Sequence, residues 1–123
     1  MTELIENINK LENGEFEIQT SAMDDICDDI TFFQKGNDYT DEGYIAFNLI
    51  SDVLWNKETI SDELAEELKS IANHWNCDFN EKKEFTTKNT DRNQAIINLI
   101  QCTSAAIGYC WALAKIERKQ KDD

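Results

Sequence analysis

The sequence predicts an all-α fold, a compact bundle of about five helices packed around a long, largely buried C-terminal helix at about 90–119. Three observations carry that expectation. Ala95 to Ala114 runs without a charged side chain in a protein whose residues are 30% charged, so this stretch belongs at the centre of a core. The 123 residues include no proline and four glycines, little punctuation for many short strands. Apolar residues also recur at intervals of three and four along much of the chain, the period of amphipathic helices. A chain of this length can bury one core without disulfides or metals, so residues 1–123 read as a single helical domain.

The first expected helix spans about 2–12, with Leu4, Ile5, Ile8 and Leu11 on one stripe and Asn13-Gly14 as its stop. Glu15 to Gln19 alternates charged and apolar residues and reads as a short extended piece or an irregular linker. Ser21 caps a second helix carrying Met23, Ile26, Cys27, Ile30 and Phe33, closed by Lys35 and Gly36. Residues 37–41 form a polar turn. A third helix follows at about 41–56, apolar along Ile45, Ala46, Leu49, Ile50, Val53 and Leu54 and widened by Tyr44, Phe47 and Trp55. Ser61 caps a fourth helix that buries Leu64, Leu68, Ile71, Ala72 and Trp75. Residues 77–89 lack helical period and read as a long polar loop. Thr90, followed by Asp91, caps the fifth helix.

The fifth helix is long enough to span a bilayer. Asn98, Gln101, Thr103 and Ser104 dilute its hydropathy, and four amphipathic stripes elsewhere need an apolar post to cover, so a buried helix is expected rather than a membrane span. Ile96, Leu99, Ile100, Thr103, Ala106, Ile107, Cys110, Leu113 and Ala114 form one of its faces. Ser104, Gly108 and Trp111 lie on another, where a small-residue groove admits either close packing within the monomer or a homodimer interface.

The net charge of −13 is unevenly placed: residues 1–90 hold 21 acidic and 7 basic side chains, and residues 91–123 hold 4 and 5. Such a field repels nucleic acid and anionic membranes and attracts basic proteins. Asp24, Asp25, Asp28 and Asp29 on the second expected helix, with Asp62, Glu63, Glu66 and Glu67 on the fourth, are the densest patches and the candidate partner-binding residues. Carboxylates four apart share a helix face, so the aspartates could also hold a divalent cation. Two ExxE spacings, Glu63/Glu66 and Glu81/Glu84, are similar to the paired magnesium motifs of all-helical nucleoside-triphosphate pyrophosphohydrolases, but the second pair falls in a lysine-flanked loop. His74 and Cys77 have zinc-ligand spacing without a CxxC partner, and neither a GxSxG elbow nor a phosphate loop is present. No catalytic residue, metal or cofactor is therefore assigned.

The cysteines at 27, 77, 102 and 110 are scattered, and Met1-Thr2-Glu3-Leu4 does not begin a signal peptide, so a cytoplasmic protein with reduced thiols is expected. The resulting expectation is a small acidic binding protein, not an enzyme, that occludes a basic nuclease or nucleic-acid-binding partner. In physical type, short, acidic and without catalytic motifs, it is similar to nuclease immunity proteins and phage inhibitors of defence nucleases. A homo-oligomeric accessory protein is the first alternative, and a magnesium-dependent enzyme on phosphorylated substrates is the second.

Overall fold

The computed structural model of the chain describes residues 5–23, 29–53 and 59–122. It is an α+β fold. Strands β1 (Ile5–Lys10), β2 (Phe16–Met23), β3 (Asp29–Lys35) and β4 (Asp38–Thr40) precede helix α1 (Tyr44–Asn48), a π-helical turn at Leu49–Val53 and helix α2 (Asp62–His74). Strands β5 (Asp78–Phe79) and β6 (Phe85–Lys88) then lead into the long helix α3 (Arg92–Asp122). The six strands form one antiparallel sheet in the order β1-β2-β3-β4-β6-β5.

The all-α bundle is thus overturned in the first forty residues and at 77–89. The physical reason is that apolar spacing there satisfies two periods at once. Phe16, Ile18 and Thr20 alternate with Glu17 and Gln19, and Ile18 and Thr20 are completely buried. Ile30 and Phe32 alternate in the same way on β3 and face β2 across the register Ile18 to Phe32. The expected first helix is the edge strand β1, paired with β2 from Ile8 to Ile18 and from Lys10 to Phe16. Two glycines read as helix stops are hairpin residues instead. Gly14, at φ +86°, closes the β1–β2 loop, in which Leu11 N donates to Glu15 O at 2.8 Å. Gly36, at φ +61°, is the first residue of the two-residue loop between Lys35 and Asp38, where glycine alone takes a positive φ without strain.

The expected third helix is shorter, α1 followed by the π-helical turn, with Leu54 and Trp55 outside the described residues. It buries Ile45, Ala46 and Leu49 and turns Tyr44 and Phe47 outward, so the aromatics do not widen its buried face. The fourth expected helix forms as α2. Ser61 Oγ accepts from Leu64 N at 3.2 Å, and Asp62 and Glu63 occupy the first turn, favourable to the helix dipole. The fifth forms as α3, capped by Asp91, whose Oδ1 accepts from Gln94 N at 3.2 Å.

Helices α2 and α3 pack together, α2 also against β5 and α3 against β6 and the π-helical turn. Ile18, Ile30, Phe32, Tyr39 and Phe85 meet Leu68, Ile96, Leu99 and Ala106 in one core. Arg92 ties the start of α3 to the sheet: its Nε donates to Gln34 Oε1 at 2.8 Å and its guanidinium lies 5.1 Å from the Phe16 ring centre. By length and composition α3 could cross a membrane; 44% of its most apolar window is buried inside this fold.

One carboxylate joins the halves. Asp41, fully buried, accepts from Gly43 N (3.0 Å) and Phe85 N (2.9 Å) through Oδ1 and from Ile45 N (3.1 Å) through Oδ2. It starts α1 and holds the β5–β6 hairpin at the same time. Burial pushes its carboxyl up to about 6 despite the three N–H donors that favour the anion. Replacing Asp41 with Ala orphans three buried donors and should lower unfolding free energy by about 3 kcal/mol, read from urea denaturation at pH 7. A pKa raised on folding makes the stabilising contribution complete below about pH 4 and lost as pH climbs through about 6. The urea midpoint of Asp41→Asn should accordingly vary less than wild type between those limits; an unchanged slope would refute the assignment.

Candidate functional site

The two faces of the sheet differ in cover. Ile18, Phe32, Tyr39 and Thr87 face the helices and are buried. The opposite face carries a row running through every strand from β2 to β5, in the register Glu17, Phe33, Thr40, Thr86, Asp78. Strand alternation dictates that row once the registers are set.

Where this open face meets the β4–α1 turn there is a groove of about 910 Å³, walled by Thr31 and Phe33 of β3 and by Tyr44 and Phe47 of α1. Asp29 and Glu42 bring carboxylates to it, and Lys82 brings an ammonium. Phe47 is 68% exposed and Tyr44 is 38% exposed, an uncommon cost for two aromatics on one turn of helix. Local backbone geometry puts them there. Glu42 (φ +56°) and Gly43 (φ +82°) are consecutive left-handed residues that swing the chain from β4 into α1. A Cβ on Gly43 would lie 3.6 Å from Lys83 O, so the turn runs alongside the β5–β6 hairpin.

Carboxylates gather around Glu42 on the rim, with Lys82 in the same groove. Partial desolvation raises the Glu42 carboxyl above the usual range, and the charges of Glu15 and Glu84 add to the rise. Glu84 accepts from Asn80 Nδ2 at 2.9 Å, which fixes it beside the turn. The ion pairs Lys69–Asp78 (2.7 Å) and Lys88–Asp38 (3.6 Å) do not involve this trio. A second depression of about 860 Å³ continues from Glu15, Glu42 and Glu84 along the outer strands toward Asp78 and Lys88.

The expected partner-binding residues divide. Asp24, Asp25 and Asp28 lie outside the described residues. Asp29 is exposed at the start of β3 and borders the groove. It stands on a strand, so the helical spacing that grouped it with the other aspartates does not apply. Asp62, Glu63, Glu66 and Glu67 are all exposed on α2. Glu63 and Glu67 share a small cleft of about 200 Å³ with Tyr109, Leu113 and Glu117 of α3. Among the described residues no cluster of three or more His, Cys, Asp or Glu side chains could hold a metal ion.

On α3, Ser104, Gly108 and Trp111 are exposed, Trp111 to 40%, and among the described residues nothing lies within 4 Å of a Cβ built on Gly108. His74 is exposed and meets Trp75 edge-on at 5.1 Å between ring centres. Cys77 is buried and its Sγ donates to Trp75 O at 3.4 Å; interaction between the neighbouring Cys77 and Cys102 thiols lowers the Cys77 thiol and raises Cys102.

Sequence reasoning missed Glu15, Phe33, Glu42 and Glu84 as neighbours. They come from four separate elements or loops and meet only through strand pairing. Tyr44 and Phe47 carry a signal, two aromatics three apart beside an Asp-Glu-Gly turn, but helical spacing reads them as widening a buried face.

No family model, curated protein or solved structure matches this chain.

The like-charge cluster has a direct consequence. Because its carboxyl is raised on folding, ionised Glu42 opposes the folded state above its unfolded pKa. Glu42→Gln should raise the melting temperature at pH 7 in low salt, and the gain should shrink as added salt screens Glu15 and Glu84. Equal gains at low and high salt would show that repulsion is not the cause.

Proposed function

We propose that this protein is a small acidic binding protein that covers a basic, nucleic-acid-binding surface of another protein, such as a nuclease, and inhibits it by occlusion. The observation that supports this reading best is the groove at the open sheet face, where exposed Tyr44 and Phe47 stand beside Glu42, a carboxylate that is also repelled by Glu15 and Glu84 of the adjoining depression. Two aromatic anchors inside a charged rim match the anatomy of a protein interface, in which a few rings supply most of the affinity. Basic residues of a partner would offset the desolvation, and the added repulsion from Glu15 and Glu84, that raise Glu42. The net charge of −13 acts at longer range, speeding encounter with a basic protein and turning nucleic acid away. The exposed acids of α2, Asp62, Glu63, Glu66 and Glu67, extend the same field.

This reading moves the centre of docking from an acidic helix to an acidic sheet face. Occlusion requires no catalytic group, only a surface whose charge and shape compete with nucleic acid for the same partner residues. It also implies equimolar inhibition, since each copy of the protein blocks one site.

The test is affinity capture at low salt from the native host, followed by assay of the captured protein on nucleic acid. A basic partner should elute as salt rises, and equimolar addition of the acidic protein should abolish its nucleic-acid binding or cleavage. Phe47→Ala should weaken the complex about tenfold or more through faster dissociation. Glu15→Gln/Glu42→Gln/Glu84→Gln should act mainly by slowing association. A partner held equally by wild type and both variants, or one whose activity on nucleic acid is untouched, would refute the reading.

A further inference from the structure

Strand β1 ends the sheet, and among the described residues nothing pairs with its outer side. A free row of backbone N–H and C=O groups is a template for another strand. In β1 that row is six residues long, Ile5-Glu6-Asn7-Ile8-Asn9-Lys10, and every residue after Ile5 is exposed. Ile8 pairs with the fully buried Ile18 and so lies on the core side of the sheet, yet it remains 38% exposed because no further strand flanks it.

Charge on an edge strand repels a second copy where the pairing sets like signs opposite each other, and attracts it where unlike signs meet. Here Glu6 and Lys10 have opposite signs and stand two residues either side of Ile8. Neither has an ion-pair partner among the described residues. Glu6 is the extra residue where the β1–β2 register shifts between Ile5 and Asn7, so it also has no cross-strand neighbour on β2.

We propose that β1 pairs antiparallel with β1 of a second copy of this chain, about a two-fold axis at Ile8, joining two six-stranded sheets into one of twelve. In that register Ile8 faces Ile8 of the second copy, Asn7 faces Asn9, and Glu6 faces Lys10. Two-fold symmetry makes each unlike contact twice. The adjacent two-fold registers, centred on Asn7 or Asn9, would set Ile8 against Glu6 or Lys10, an apolar group against a charge. Alternation of side chains forbids the registers between them, because a one-residue slip reverses the faces. The sequence of the strand therefore selects one partner and one alignment. The surface is distinct from the groove at Tyr44 and Phe47, so it stands whether or not the occlusion reading does.

Charge reversal with restoration tests it on the full chain. Sedimentation velocity over a concentration series should show wild type passing from monomer to dimer. Glu6→Lys and Lys10→Glu should each weaken the dimer at least about tenfold, since each places like charges together at two symmetric positions. Glu6→Lys/Lys10→Glu restores opposite signs and should restore the dimer. It has the composition of wild type, so net charge is controlled. These residues are exposed, and far-ultraviolet circular dichroism checks that each variant is folded. A wild type that is monomeric up to its solubility limit overturns the proposal. So does a dimer that survives both single reversals, which would place the contact elsewhere, as on the exposed Trp111 side of α3, and so does a dimer that stays lost in the double variant.

Discussion

A single buried carboxylate holds the two halves of this fold in register. Asp41 leaves β4, turns the chain through two left-handed residues, starts α1 and reaches across to the amide of Phe85. Its own amide donates to Phe85 O at 3.1 Å, so the contact with β6 is two-way. Without that bracket the β5–β6 hairpin has only short strands with which to hold the sheet, and the floor of the groove loses its shape. An anion sealed from water is costly, and three N–H donors offset only part of that cost. The expense is concentrated at the place where the exposed aromatics are positioned.

The rest follows from a division of labour between the faces of the sheet. Helices α2 and α3 cover one face, and the core there joins Ile18, Phe32 and Phe85 to Leu68, Ile96 and Leu99. The other face keeps a row of polar residues around Phe33 and gathers Glu15, Glu42 and Glu84 at its edge. An antiparallel sheet tolerates this arrangement because its backbone groups are already paired, so that one side can remain wet. The negative field thus gathers around a shaped surface rather than being spread evenly.

Legibility of the sequence divided along the same line. The two long helices were readable, down to Ser61 as a cap, because helical hydrogen bonds and caps are local. Leu4, Ile5, Ile8 and Leu11 satisfy a helical stripe, and Ile30 and Phe33 fall three apart, yet the alternation from Phe16 to Thr20 and the Asn13-Gly14 pair were equally visible hairpin signals. Low glycine and absent proline outweighed them wrongly, since Gly14 and Gly36 suffice for two tight hairpins. Of the residues named from the sequence, Asp29 borders the groove and the α2 acids lie exposed away from it. The neighbours Glu15, Phe33, Glu42 and Glu84 were not named, because their proximity is a property of strand pairing.

By itself the sequence determined the charge, the position of α2 and α3, and the face of α3 that enters the core, all of which depend on residues within a few turns of each other. Only the tertiary structure decided that Ile5–Lys10, Phe16–Met23, Asp29–Lys35 and Asp38–Thr40 are strands, which side of α1 faces water, and which carboxylates stand together. Those outcomes rest on cross-strand registers and on a carboxylate bonding an amide 44 residues away. A period of three or four can be read along a chain, but a register between strands is settled only when both are present.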